Sequence, residues 1–205
     1  MTFRIALAGA QGTGKSTLAR AIVVRLRAAK TQNVQLCTSV GGEISESGLV
    51  TGAAAGAETV LTFARLQLER ELGATGEIQV FDRCLLDTLA YARILGCLSR
   101  DEFRDLQRAT LDSCRRVAQL LWLRVTSDYP VKNAQDETPE FRRAIDKAIG
   151  ELALEHSLSL TACAITPESL DGVVDRVIEQ FIRALPSTFP SSACPHESGA
   201  TCRSG

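Results

Sequence analysis

Gly9-Ala10-Gln11-Gly12-Thr13-Gly14-Lys15-Ser16-Thr17 decides how the rest of this 205-residue chain is read. The stretch has the form G-x-x-x-x-G-K-S, the phosphate-binding P-loop, which requires a strand before it and a helix after it. Phe3-Arg4-Ile5-Ala6-Leu7-Ala8 is a short apolar run suited to a buried strand. Residues 16–29 are rich in Ala, Leu, Arg and Val, contain neither Gly nor Pro, and suit a helix. Gly9, Gly12 and Gly14 let the backbone bend closely around an anion, so that the loop N–H groups and the helix N-terminus converge on it. Gln11, Thr13 and Thr17 complete the nucleotide-binding set. Lys15 is placed to reach the β- and γ-phosphates of ATP, and the Ser16 hydroxyl to ligate Mg²⁺.

The composition fits that reading. Hydrophobic residues make up 45% and charged residues 23%, the profile of a globular domain, and the length suits one such domain. The formal net charge of -1 implies no basic surface for nucleic acid. The seven cysteines are odd in number and none lie in C-x-x-C spacing, so neither a disulfide frame nor a zinc site is expected. Cys37, Cys97, Cys114 and Cys163 sit in apolar stretches and read as reduced core residues. Arg4 breaks the first apolar run, which argues against a signal peptide, and no run approaches the length of a membrane span. A cytoplasmic protein without a membrane partner is the expectation.

Strand and helix patterns alternate along the chain. Strands are expected at residues 34–38, 77–82, 119–125 and 158–164. Helices are expected at 57–72 with Leu61, Ala64, Leu68 and Leu72 inward and Gly73 as cap, at 85–95 ending on Gly96, from Ser99 to about Val117, and at 140–156. A last helix opens with Thr166 as N-cap and Pro167 in its first turn. Ser99 and Glu102 have capping-box spacing. Residues 39–56 read as a loop with a short helix, in which Glu43 is either solvated or a substrate contact. The whole predicts an α/β P-loop NTPase fold: a five-stranded parallel sheet with helices on both faces, in one domain over 1–185. The Pro-bracketed, polar 126–143 segment reads as a lid, and 186–205 as a disordered tail. Cys194, His196 and Cys202 in that tail lack metal-site spacing.

Asp82 closes the third strand, where a carboxylate lies near the P-loop and either holds Mg²⁺ or accepts the proton of an acceptor hydroxyl. Arg83 adds a planar fork suited to phosphate or carboxylate. The run Asp82-Arg83, Asp87-Thr88, Ala90-Tyr91 resembles the D-R-x-x-x-[SD]-[ST]-x-A-Y segment of P-loop nucleoside and nucleotide kinases, thymidylate kinases among them. Gln67 and Glu71 as Q-x-x-x-E, a Pro-containing acidic loop, and Phe141-Arg142-Arg143 extend the resemblance to the AAA-type ATPase/kinase domain that includes the ribosylnicotinamide kinases, although only Asp136-Glu137 stands where that family has Asp-Gly-x-Arg. The likeness spans about residues 3–183, although Ala92 stands where thymidylate kinases have Gln. Asn133-Ala134-Gln135-Asp136 lacks the Lys of the guanine-reading N-K-x-D and is read as accidental.

The resemblance implies phosphoryl transfer from ATP, with Mg²⁺, to a nucleoside-like or nucleotide small molecule. Lys15, Asp82 and Arg83 would be the working residues, and Arg142 or Arg143 would swing in from the lid. The alternative is a P-loop ATPase or nucleotide-dependent switch acting on a protein partner. The sequence leaves the oligomeric state open.

Overall fold

The computed structural model describes residues 2–29, 33–126 and 137–184. Five strands, β1 (Phe3–Ala8), β2 (Val34–Cys37), β3 (Ile78–Phe81), β4 (Gln119–Leu123) and β5 (Leu160–Cys163), form one sheet in the order β2-β3-β1-β4-β5. Every pairing is parallel, with Ile5 opposite Val80 on one side and Gln119 on the other. The central position of β1 carries the following loop to the carboxyl edge of the sheet, where open α/β sheets bind ligands.

Alternation along β1 sets up the two faces. Phe3, Ile5 and Leu7 pack with Leu18, Ile22 and Leu26 of α1 (Lys15–Ala28) and Val174, Val177 and Phe181 of α7 (Leu170–Ala184). Ala6 and Ala8 face the other way. Their small side chains leave room for α4 (Leu85–Leu95), through Leu86 and Leu89, and for α6 (Pro139–Glu155), through Ile145 and Ile149. Burying one such Leu or Ile contributes about 1.5–3 kcal/mol, and these side chains are wholly enclosed. The remaining helices among the described residues are α2 (Gly41–Glu46), α3 (Ala57–Gly73) and α5 (Arg100–Cys114), with a 3₁₀ turn at Gly52–Ala54. None of the helices among the described residues is long and apolar enough to cross a membrane.

Helix starts follow the local chemistry. Ser99 and Glu102 form the expected capping box, and Thr138 caps α6 ahead of Pro139. Four expectations need correction. Gly73 is the last residue of α3 rather than its cap, and the chain leaves through an extended Ala74. Ala64 and Leu68 of α3 pack against the core as expected, but its most buried residues are Thr59, Val60, Gln67 and Glu71, and Leu72 is 60% exposed. The last helix begins at Leu170, because Thr166 and Ser169 bond each other's backbone N–H groups in a separate turn. α5 stops at Cys114, three residues short of Val117, and β4 and β5 end at Leu123 and Cys163. Cys37 and Cys114 are buried, and Cys97 and Cys163 are half-buried; all four are free thiols. Residues 127–136, with most of the expected lid and the Asn133–Asp136 stretch, lie outside the described residues, as does the 186–205 tail.

Candidate functional site

The P-loop is tied down from several directions. Gly9 cannot carry a side chain, since a Cβ there would stand 2.6 Å from the Leu123 carbonyl oxygen and 2.9 Å from Thr13 Oγ1. Gly14, at φ +86°, turns the chain into α1, and a Cβ would meet Ile165 Cδ1 at 2.4 Å. Thr13 is buried and donates through Oγ1 to the Ala10 carbonyl at 3.0 Å. The Lys15 ammonium is buried and donates to the carbonyls of Gly9 at 2.7 Å and Ala10 at 2.6 Å. Burial, with the nearby Arg83 charge, pulls its pKa down to about 8. Gly12 sits at φ +73°, Gln11 and Gly12 are half-buried, and Thr17 is exposed on the first turns of α1.

Asp82 and Asp87 approach the loop from opposite ends of the same short segment. Ser16 Oγ donates to Asp82 Oδ2 at 2.7 Å, while Asp82 Oδ1 is buried without a hydrogen-bond partner. A hydroxyl beside an underused carboxylate is an oxygen donor set that fits Mg²⁺, which is commonly held by one or two protein oxygens and completed by phosphates and water. Asp87, 2% exposed, accepts the Gly9 N–H on Oδ1 at 2.8 Å and faces the Arg83 guanidinium with Oδ2 at 3.5 Å. Burial raises its pKa, although Lys15 and Arg83 pull the other way. Arg142 reaches the loop from α6 and donates through Nε to the Gln11 carbonyl at 2.8 Å; its Nη2 is buried and unpartnered. Arg143 is exposed and paired with Glu140.

Beside these groups opens a cleft of about 590 Å³, its mouth included. Val60, Phe63, Tyr91 and Leu95 supply apolar walls, and Arg83, Asp87 and Glu137 supply charge. Gln67 donates to the Arg83 carbonyl at 2.9 Å and to Glu71 at 3.3 Å, and Ser113 donates to the same carboxylate. That chain of bonds fixes the backbone between Asp82 and Asp87. Glu43 is not part of the cleft; it pairs with Arg70, which also donates to the Thr38 carbonyl.

The structure thus brings Lys15, Ser16, Asp82, Arg83, Gln11 and Arg142 together, with Thr17 exposed beside Ser16 at the start of α1, and pairs Arg143 with Glu140 instead. Sequence reasoning did not single out Asp87, Tyr91 or Glu137 as site residues. For Asp87 a signal existed: it lies one helical turn beyond Arg83, the spacing of an ion pair. Glu137 was read only as part of an acidic loop, because its place in the cleft depends on how the chain enters α6 and on the Tyr91 hydroxyl that meets it.

A family model described as an AAA domain matches residues 4–167. No curated protein matches the chain in sequence. Among solved structures, NadR protein in complex with NR is similar at a TM-score of 0.64 and 16% identity, over 87% of this chain and 50% of that one. NadR protein in complex with NAD and AMP-PNP gives 0.65 and 15%, over 87% and 49%. Thymidylate kinase from Ehrlichia chaffeensis gives 0.63 and 15%, over 88% and 98%. The chain therefore spans about half the length of the NadR chains, and at these identities the likeness establishes the fold alone, an α/β P-loop NTPase fold.

Proposed function

We propose that this chain, which belongs to the AAA domain family, transfers the terminal phosphoryl group of ATP, with Mg²⁺, to a nucleoside-like or nucleotide small molecule. The observation that carries the reading is the cleft: it shares Gln11, Arg83 and Asp87 with the surroundings of the P-loop, so an acceptor held there lies next to a bound triphosphate. A plain ATPase has no need of such a second chamber. The thymidylate kinase likeness and the nucleotide-bound NadR structure support the same class of ligand.

The residues divide the work. Glycine backbone N–H groups and Lys15 would hold the β- and γ-phosphates, Lys15 exchanging its two carbonyl contacts for phosphate oxygens. Mg²⁺, held by Ser16 and Asp82, would neutralise charge on the phosphate oxygens. Arg142, already against Gln11 with one nitrogen free, would stabilise charge on the moving phosphoryl. An acceptor hydroxyl oxygen would bond to the terminal phosphorus as the bond from that phosphorus to the ADP oxygen breaks. Asp82 is engaged by Ser16, which favours its metal role over its role as base. Asp87 is the cleft carboxylate that also touches the P-loop, through the Gly9 N–H, and its raised pKa suits it to take the hydroxyl proton.

A screen of nucleosides and nucleotides with Mg-ATP, read as phosphorylated product by mass, tests the proposal. A product gaining one phosphoryl group is expected with at least one of them. ATP consumption that yields no such product and rises only with a protein partner would replace the kinase by the switch reading.

A further inference from the structure

We infer that the cleft selects an acceptor that carries no phosphate and donates a hydrogen bond to Glu137; this rests on the kinase reading and narrows its substrate class. Glu137 is 5% exposed. One of its oxygens accepts the Tyr91 hydroxyl at 2.6 Å, and the other is buried with no hydrogen-bond partner. A carboxylate placed so is costly to leave half satisfied, and a hydroxyl or amine entering beside it relieves that cost. Tyr91 is itself fixed, edge-on to Phe141 with ring centroids 5.8 Å apart, so the carboxylate cannot follow a ligand freely.

The charge balance of the cleft points the same way. Its charged lining among the described residues is Arg83, Asp87 and Glu137, one cation against two anions. Arg83 already faces Asp87 at 3.5 Å. Of the two other nearby cations, Lys15 is turned onto P-loop carbonyls, and Arg142 donates to Gln11 and keeps its free nitrogen beside the P-loop for the donor phosphates. A second phosphate in this chamber would therefore meet Glu137 while Arg83 is already shared with Asp87 and Lys15 and Arg142 serve the donor phosphates, and like charges in a water-poor site discriminate strongly.

The test is titration calorimetry on the full chain with Mg-AMP-PNP present. The probes are adenosine, guanosine, cytidine, uridine, thymidine and ribosylnicotinamide, each against its 5′-monophosphate. At least one free nucleoside should bind about tenfold or more tightly than its monophosphate, and E137Q should bring that pair within about threefold. The wild-type comparison needs no variant, so it stands even if E137Q does not fold. Equal or tighter binding of the monophosphates, an unchanged ratio in folded E137Q, or no binding by any probe overturns the inference. Transfer to a monophosphate would refute this inference and leave the kinase reading intact. Preferential nucleoside binding without any transfer would do the reverse.

Discussion

Replacing Lys15 by Met examines the P-loop at its most unusual point, an ammonium enclosed by its own loop. Burial moves its pKa from 10.5 to about 8. At about 1.4 kcal/mol per unit, the charged form is disfavoured in the folded chain by roughly 3 kcal/mol. Between pH 8 and 10.5 the unfolded chain keeps this proton and the folded chain releases it. Stability from this group therefore rises with pH across that window and is flat below it. Met carries no such proton, so the difference in unfolding free energy between wild type and Lys15→Met should be constant from pH 6 to 8. It should then shift by roughly 3 kcal/mol in favour of wild type by pH 10.5. Urea denaturation at half-unit pH steps, without nucleotide, reads it; titrating groups remote from Lys15 cancel between the two proteins, and the carboxylate coupled to it, Asp87, titrates on the acid side of the window that is read. Mg-ATP binding runs oppositely: it needs the ammonium, so wild-type affinity should fall about tenfold per pH unit above 8, while the variant binds weakly at every pH. A stability difference that stays level from pH 6 to 10.5 would refute the enclosed ammonium and the reasoning built on it.

Asp82→Asn keeps shape and removes charge; phosphoryl transfer should fall by roughly a hundredfold or more in a coupled kinetic assay, while AMP-PNP still binds through the loop. Arg142→Lys loses the planar fork, and kcat should drop about tenfold or more with acceptor KM little changed, measured by steady-state kinetics. Gly150→Ala places a Cβ 2.7 Å from Trp122 Cη2. It should cost about 1–3 kcal/mol, read as a lower Tm together with altered fluorescence of the chain's single Trp.

The fold was legible because its signals are local. The glycine pattern at 9–14 permits few backbone paths, and each strand is a short apolar run between helical stretches. The Phe3, Ile5, Leu7 and Ala6, Ala8 alternation even foretells which face admits helices closely. The first half of the site was legible for the same reason, since Lys15, Ser16 and Asp82 sit at the ends of such elements. The rest was not, because long-range partners decide it. Gln67 and Glu71 look like surface residues of an amphipathic helix until the Arg83 carbonyl and Ser113 claim them. The sequence offered Arg142 and Arg143 alike, and only the Gln11 carbonyl, 131 residues before Arg142, separates them. Leu72 fits the helical period and is nonetheless exposed, because the α3 face that turns inward follows that polar network.

The bond from the Gly9 N–H to Asp87 gives the two chambers a common wall. One carboxylate oxygen shapes the nucleotide loop, and the same side chain lines the cleft. A ligand in the cleft that shifts Asp87 alters the loop's first N–H and with it the grip on nucleotide. Thermodynamic reciprocity then fixes the return effect: whatever factor an acceptor imposes on nucleotide affinity, nucleotide must impose on acceptor affinity. The order in which the two arrive changes the route and leaves that factor untouched.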